Sequence, residues 1–102
     1  MQYEEFKEEL LKFIRIIYSM DVFWCPYLDF SPINSIFIGK YKYILQIRLF
    51  RKDLLILNIL FENEPFDPTK LEQLCEYIFK HCSSDELDKI ISILSRLIVK
   101  QI

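Results

Sequence analysis

The sequence predicts a single α+β domain over residues 1–102, with elements in the order αβββαα. Apolar residues recur at helical spacing over residues 3–19 and again after residue 67. Between these segments, residues 35–62 alternate with the period of two that is typical of β-strands. We therefore expect a three-stranded antiparallel meander packed with one N-terminal helix and a C-terminal helical hairpin.

The composition is that of a folded protein with one core. Of the 102 residues, 52% are hydrophobic and 16% aromatic, far from the composition of a disordered chain. Thirteen Lys and Arg nearly balance fifteen Asp and Glu, so no global charge attracts nucleic acid or an acidic membrane. The acidic N-terminus differs from a signal peptide, and no apolar run approaches the roughly 18–20 residues that span a bilayer. We expect an intracellular protein with no membrane partner.

The first helix is predicted over residues 3–19, with glutamates in its first turn that suit the positive end of the helix dipole. Its apolar stripe consists of Tyr3, Phe6, Leu10, Phe13, Ile14 and Ile17. Residues 20–32 contain two prolines and no helical stripe, which indicates a connector or a short edge strand. Four aromatic residues crowd into this connector: Phe23, Trp24, Tyr27 and Phe30.

Two turns are predicted to join the three strands. A two-residue turn at Gly39 and Lys40 would place Ile38 opposite Tyr41. A three-residue loop over residues 51–53 would place Gln46 opposite Asn58; a two-residue loop is disfavoured because it would shift Asn58 onto the apolar face of the sheet.

This register gives the sheet two unlike faces. The predicted core face consists of Ile36, Ile38, Tyr41, Tyr43, Leu45, Ile47, Leu49, Leu55, Leu57, Ile59 and Phe61. The other face, called the second face below, is half apolar and consists of Ser35, Phe37, Lys42, Ile44, Gln46, Arg48, Phe50, Leu54, Ile56, Asn58, Leu60 and Glu62.

Two capped helices are predicted to follow. Asp67 before Pro68 suits a helix start, and Ser83 with Glu86 forms a capping box for the last helix. The first of the two apolar stripes contains Leu71, Leu74, Cys75, Ile78, Phe79 and Cys82, and the second contains Leu87, Ile90, Ile91, Leu94, Leu97 and Ile98. The short connection predicts an antiparallel pairing of these two helices.

Residues suited to catalysis are sparse. His81 is the only histidine and has no triad-like neighbours, and a single glycine excludes glycine-rich phosphate loops. Cys75 and Cys82 lie about 10 Å apart along one helix face and cannot bridge, whereas a bridge from Cys25 to either one stays open. The cysteine spacing matches no metal motif. We expect no enzyme activity, no cofactor and no metal.

Basic residues concentrate in the predicted β-hairpin. Residues 30–52 contain five of them and no acidic residue: Lys40, Lys42, Arg48, Arg51 and Lys52. Neighbouring aromatic residues make single-strand nucleic-acid binding by the hairpin of residues 40–52 an alternative function.

The residue usage is strongly biased, with no alanine, one glycine and 16 isoleucines, and the bias is concentrated in stretches such as "KYKYILQIRLF" and "LDKIISILSRLIVKQI". In this bias the chain resembles orphan small proteins of the filamentous and rod-shaped viruses that infect hyperthermophilic archaea. The resemblance implies a protein of the host cytoplasm that acts on a host or virion partner, and it makes intracellular disulfides acceptable.

The second face allows two interpretations. Either the first helix covers it, or it is exposed and meets a protein or peptide partner, which could be a second copy in a homodimer. The candidate partner-binding residues are Phe37, Ile44, Gln46, Arg48, Phe50 and Asn58, with Trp24 and Tyr27 from the connector. The sheet edges are a third route, by addition of a strand. We therefore expect a non-catalytic protein–protein interaction module.

Overall fold

Helix α1 spans its predicted residues, and α2 and α3 begin at their predicted caps. The structure, a computed structural model, describes residues 1–62 and 67–101, except for the side chains of residues 26, 27 and 101. The helices are α1 (Tyr3–Ser19), α2 (Pro68–His81) and α3 (Ser84–Gln101). Asp67 Oδ1 accepts a hydrogen bond from the Thr69 amide at 2.9 Å, and Ser83 and Glu86 cap each other reciprocally. Both predicted caps are confirmed.

Four strands, one more than predicted, lie between α1 and α2. They are β1 (Val22–Asp29), β2 (Asn34–Tyr41), β3 (Ile44–Arg51) and β4 (Leu54–Glu62), and they form one antiparallel sheet in the order β1-β2-β3-β4. The extra strand is the predicted connector. Its pairing with β2 shifts between Cys25 and Leu28, around Pro26, which an edge strand tolerates because one side of it needs no ladder partner.

All three helices pack on the same face of the sheet. The buried stripe of α1 (Phe6, Leu10, Ile14, Ile17) joins the stripes of α2 and α3 and the inward residues of all four strands in one hydrophobic core. The helices α2 and α3 do not form the predicted close pair, because α1 packs against both of them and supplies the main helix–helix contacts. The second face therefore has no helical cover, which excludes the interpretation that α1 covers it.

The turn between β2 and β3 does not lie at Gly39 and Lys40, where it was predicted. It is formed by Lys42 and Tyr43, with Lys42 in the left-handed region at φ 52°, whereas Gly39 lies inside β2. Ile38 consequently pairs with Ile47 instead of Tyr41. Tyr41 and Tyr43, predicted as core, are 62% and 69% exposed because they end the strand and occupy the turn.

The β3–β4 connection is shorter than predicted, yet Asn58 stays out of the core. The turn consists of Lys52 and Asp53, both with positive φ, and Arg51 pairs with Leu54. Between Leu49 and Phe50 the register shifts by one residue, which inserts a bulge at residue 56 of β4. The bulge cancels the one-residue slip, so Asn58 pairs with Arg48 on the second face. Between the bulge and the β3–β4 turn, Leu55 pairs with Phe50 and is exposed. The prediction that Leu55 belongs to the core is therefore wrong.

Lys40, which was predicted to lie in an exposed turn, is buried. It follows Ile36 and Ile38 on the core side of β2 and is only 5% exposed. Its ammonium group donates to the carbonyl oxygens of Met20, at 2.8 Å, and of Lys42. Met20 caps the C-terminal end of α1, whose last turn has no basic residue, so the charge of Lys40 lies at the negative end of that helix.

Candidate functional site

The second face is the candidate functional site because it is a broad, partly apolar surface that no described helix covers. Trp24, Ile44 and Ile56 are 60%, 46% and 40% exposed, although side chains of these types are usually buried. Contiguous exposed apolar surface on a monomer commonly marks a site of interaction. The paired strands therefore hold the backbone positions of these side chains on one side of the sheet.

Two rows of side chains across the strands form the centre of this face. Phe37, Arg48 and Asn58 are directly opposite one another on β2, β3 and β4, and Gly39, Gln46 and Leu60 form the next row. Directly paired residues of antiparallel strands lie on the same face and are close enough to interact. The predicted residues Phe37, Gln46, Arg48 and Asn58 are thus brought together.

Gly39 is needed for the aromatic part of the site. A methyl group at this position would lie 2.9 Å from Phe37 Cζ and 3.6 Å from Trp24 Cζ3, so both rings lie over the bare glycine backbone. The two rings meet edge to face, with centroids 5.0 Å apart. Next to them is a shallow groove of about 330 Å³ lined mainly by apolar atoms of Val22, Tyr41 and Ile44. The groove therefore has the chemistry of a site for an apolar side chain.

Arg48 is held in a defined position at the centre of the face. With its oxygen turned toward Arg48, the Gln46 amide accepts hydrogen bonds from Nε at 3.1 Å and Nη2 at 3.0 Å. The Asn58 amide lies 3.2 Å from the Gln46 amide, and the guanidinium carbon lies 5.9 Å from the centroid of the Phe37 ring. Polar and aromatic groups therefore form one connected set.

Three further residues complete the surface, and sequence reasoning did not assign them to it. Val22 and Tyr41 pair with each other at the end of the face next to the β2–β3 turn, and Gly39 lies beneath the Trp24 and Phe37 rings. Uninterrupted alternation through "NSIFIGKY" was the available signal, because it places Phe37, Gly39 and Tyr41 together opposite the buried residues. Of the other predicted residues, Ile44 and Phe50 lie on the face, and the side chain of Tyr27 lies outside the described part of the structure.

The connector aromatics divide between core and surface. Phe23 and Phe30 are buried, whereas Trp24 points to the second face. Alternation along the edge strand explains the difference between Phe23 and Trp24.

The basic residues do not form one patch. Lys40 is buried beneath α1, and Lys42 lies in the turn at one end of the sheet. Arg51 and Lys52 lie at the other end, about 25 Å away along strands of eight residues. Of these five residues, Arg48 alone occupies the middle of the second face.

Both sheet edges are modified in ways that hinder strand addition. At the β4 edge, Lys70 of α2 donates a 2.6 Å hydrogen bond to the Leu60 carbonyl, and the bulge at residue 56 distorts the strand further along. At the β1 edge, the register shift and Pro26, which has no amide hydrogen, interrupt the row of donors.

Outside this face, three titratable side chains connect helix α1 to helix α2. Glu72 of α2 accepts a 2.6 Å hydrogen bond from the Tyr3 hydroxyl and pairs with Lys7, both of α1. The bonds from Lys7 and Tyr3 lower the pKa of Glu72, and burial together with the bond to Glu72 raises the pKa of Tyr3. The hydrogen bond from Tyr3 and the ion pair with Lys7 thus connect α1 to α2.

The cysteines are protonated thiols. Cys25, Cys75 and Cys82 are all unbridged, and burial raises the pKa of Cys75 and of Cys82 to about 11. Such thiols are poor nucleophiles at neutral pH. His81 is exposed and stacks on Tyr77 at 4.4 Å between ring centroids.

Within residues 1–62 and 67–101, no three His, Cys, Asp or Glu side chains are grouped as a metal site would require. In the same part of the chain, no helix has the length and apolar character to cross a bilayer. Comparison of the chain with protein-family models, curated proteins and solved structures found no match.

Proposed function

We propose that the chain is a non-catalytic protein–protein interaction module that binds a partner protein across the second face. The observation that carries this proposal is that every described helix packs on the other side of the sheet, while Trp24, Ile44 and Ile56 of the second face remain 60%, 46% and 40% exposed. The partner replaces water over this apolar surface, which supplies the driving force for association.

The size of the face suits this role. Four strands spaced about 4.8 Å apart and eight residues long at about 3.3 Å per residue cover about 500 Å² in projection. Side chains add to this, which brings the face near the roughly 800 Å² that one partner contributes to a standard interface. Because both edges are hindered, the face is favoured over strand addition as the route of binding.

The remaining chemistry supports a binding role over catalysis. The thiols are protonated, and the Tyr3–Glu72–Lys7 cluster is used in helix packing. The proposal includes an intracellular location and, if the resemblance to archaeal virus proteins reflects the origin of the chain, a partner from the host or the virion.

The test is selection of binders from a display library of random short peptides, followed by mapping on the ¹⁵N-labelled protein. We expect the selected peptides to shift amide signals of β1–β4 on the second face. Binding should be lost in the double variant Ile44→Ser, Ile56→Ser, since truncation of interface anchors commonly costs about tenfold or more. The control Val99→Ser, which alters an exposed residue of α3, should bind as the wild type does.

Shifts confined to the helical side, or equal binding by the double variant and the control, would contradict the proposal. Circular dichroism of both variants excludes loss of the fold as the cause of lost binding.

Nucleic-acid binding is kept as a second candidate because the structure exposes Tyr41 and Tyr43, with Lys42 5.3 Å from the Tyr41 ring centroid. Aromatic residues beside a cation can stack bases and contact phosphate. Titration of a fluorescent oligo(dT) tests this function. It requires affinity that falls as salt rises and is lost in Lys42→Glu.

A further inference from the structure

We propose that Arg48 is a receptor for a carboxylate of the partner, so that the second face recognises a protein segment in which an acidic residue lies close to an apolar one. This inference rests on the proposed function and specifies the chemistry of its partner.

Arg48 has unused hydrogen-bonding capacity in a fixed position. Of the five guanidinium N–H groups, the Gln46 oxygen accepts one from Nε and one from Nη2. Both hydrogens of Nη1 and the second hydrogen of Nη2 then point away from Gln46. These two nitrogens form the fork that binds a carboxylate with two parallel hydrogen bonds.

No carboxylate from residues 1–62 or 67–101 forms an ion pair with this fork. Among the described residues, the ion pairs are Lys7–Glu72 and Lys12–Glu9, and neither lies on the second face. The Phe37 ring against the guanidinium and the surrounding apolar side chains reduce its access to water, which strengthens a charge-assisted bond once a partner covers the face. A carboxylate of a binding partner would therefore neutralise the positive charge of Arg48 at the centre of the second face.

The neighbouring groove defines the second half of the recognised segment. Gln46 and Phe37 both line the groove, and both also contact Arg48. Gln46 and Arg48 are two residues apart on β3, a separation of about 6.6 Å. An extended partner segment covers this distance with an apolar side chain in the groove and Asp or Glu two positions away.

A second copy of the chain does not satisfy this chemistry. A two-fold axis through the centre of the face would bring Arg48 toward the Arg48 of its copy, and like charges in a desolvated interface oppose association. A phosphate of nucleic acid would satisfy the fork, but the other cations of the predicted hairpin lie at the ends of the sheet or in its interior and could not follow a phosphate backbone across the face.

The experiment uses the same random peptide library on the full chain, on Arg48→Met, on Arg48→Glu and on the control Arg96→Met. The control removes the same charge from an exposed position of α3. We expect wild type and control to select peptides with Asp or Glu two positions from an aliphatic or aromatic residue. Replacing that acidic residue with Asn or Gln should weaken binding about tenfold or more.

The variants separate this inference from the proposed function. Arg48→Met should lose the preference for acidic peptides while apolar peptides still bind the face, and Arg48→Glu should select Lys or Arg instead. Neutral peptides selected equally by wild type and Arg48→Met would overturn the carboxylate receptor and leave the binding face intact. No peptide bound on the face by any variant would overturn both.

Two further measurements test whether nucleic acid or a second copy of the chain binds the second face instead of a peptide. Displacement of the selected peptides by oligo(dT) in an Arg48-dependent manner would overturn the inference in favour of a phosphate contact. Sedimentation that shows a dimer abolished by Arg48→Met would overturn it in favour of a second copy. Thermal unfolding of each variant confirms the fold, and Arg48→Lys, which keeps the charge without the fork, should bind acidic peptides more weakly than wild type.

Discussion

Replacing Lys40 with methionine tests the most unexpected placement in the structure. Methionine keeps an unbranched apolar chain but removes the ammonium group that binds the carbonyl oxygens of Met20 and Lys42. It also removes the positive charge from the C-terminal end of α1 and from its position 5.2 Å from the Tyr18 ring centroid. The variant should therefore loosen the contact between α1 and the end of the sheet.

The expected loss of stability follows from these contacts. A hydrogen bond with a charged partner contributes about 1.5–3 kcal/mol net. The two bonds are not summed, because removing the ammonium also relieves the cost of its desolvation. We expect the free energy of unfolding to fall by about 1.5–3 kcal/mol, which for a domain of this length lowers Tm by about 6–24 °C.

Urea and thermal unfolding followed by circular dichroism measure this change. The matched control is Lys42→Met, which removes an exposed lysine of the adjoining turn and should change stability by less than about 0.5 kcal/mol. Equal stabilities of the two variants would refute the buried placement of Lys40 and return it to the surface.

Three other predictions concern separate parts of the fold. Gly39→Ala should displace the Phe37 ring, altering the near-UV circular dichroism of Trp24 with a stability change within about 1 kcal/mol, because a half-buried ring can shift toward solvent; an unchanged spectrum would contradict the packing. Ionised Glu72 stabilises the fold above its ordinary pKa of 4.5, and this gain is lost as pH falls through its lowered folded-state pKa. Glu72→Gln should therefore flatten the decline of the urea midpoint below pH 4.5, and an unaltered decline would count against the pairing. Lys70→Ala should expose the edge carbonyl of Leu60 and increase self-association in sedimentation velocity, whereas a strictly monomeric variant at high concentration would show that the edge needs no such protection.

The helices could be predicted from sequence because their signals are local. Asp67 before Pro68 and the Ser83–Glu86 box each act within one turn of helix, and the structure forms both sets of hydrogen bonds. How the helices pack is a long-range property. The position of α1 between α2 and α3 depends on the shape of the whole core, so the spacing of apolar residues within each helix does not predict it.

The two faces of the sheet were largely predicted although both registers were wrong. Ile38 pairs with Ile47, six positions beyond the predicted Tyr41, and Gln46 pairs with Leu60, two positions beyond Asn58. A register shift by an even number of residues leaves each side chain on the same face of the sheet. The candidate residues of the second face therefore kept their face despite the errors. Tyr41 left the predicted core face, and Lys40, predicted in the turn, lies in the core.

The misplaced turn has a specific cause. Glycine is a strong turn signal, but Gly39 serves to leave space for the Trp24 and Phe37 rings, a contact between neighbouring strands that local sequence cannot reveal. The actual turn at Lys42 and Tyr43 contains none of the usual turn residues.

The bulge at residue 56 gives the β3–β4 hairpin a spare residue. The same chain length permits a three-residue loop over residues 52–54 with no bulge, and everything from Leu57 and Leu49 onward would keep its pairing. Ile56 would then replace Leu55 opposite Phe50. The end of the second face next to the β3–β4 turn can thus exchange one branched side chain for another while Arg48 and Asn58 stay in place, which relaxation-dispersion NMR would detect as exchange confined to residues 50–56.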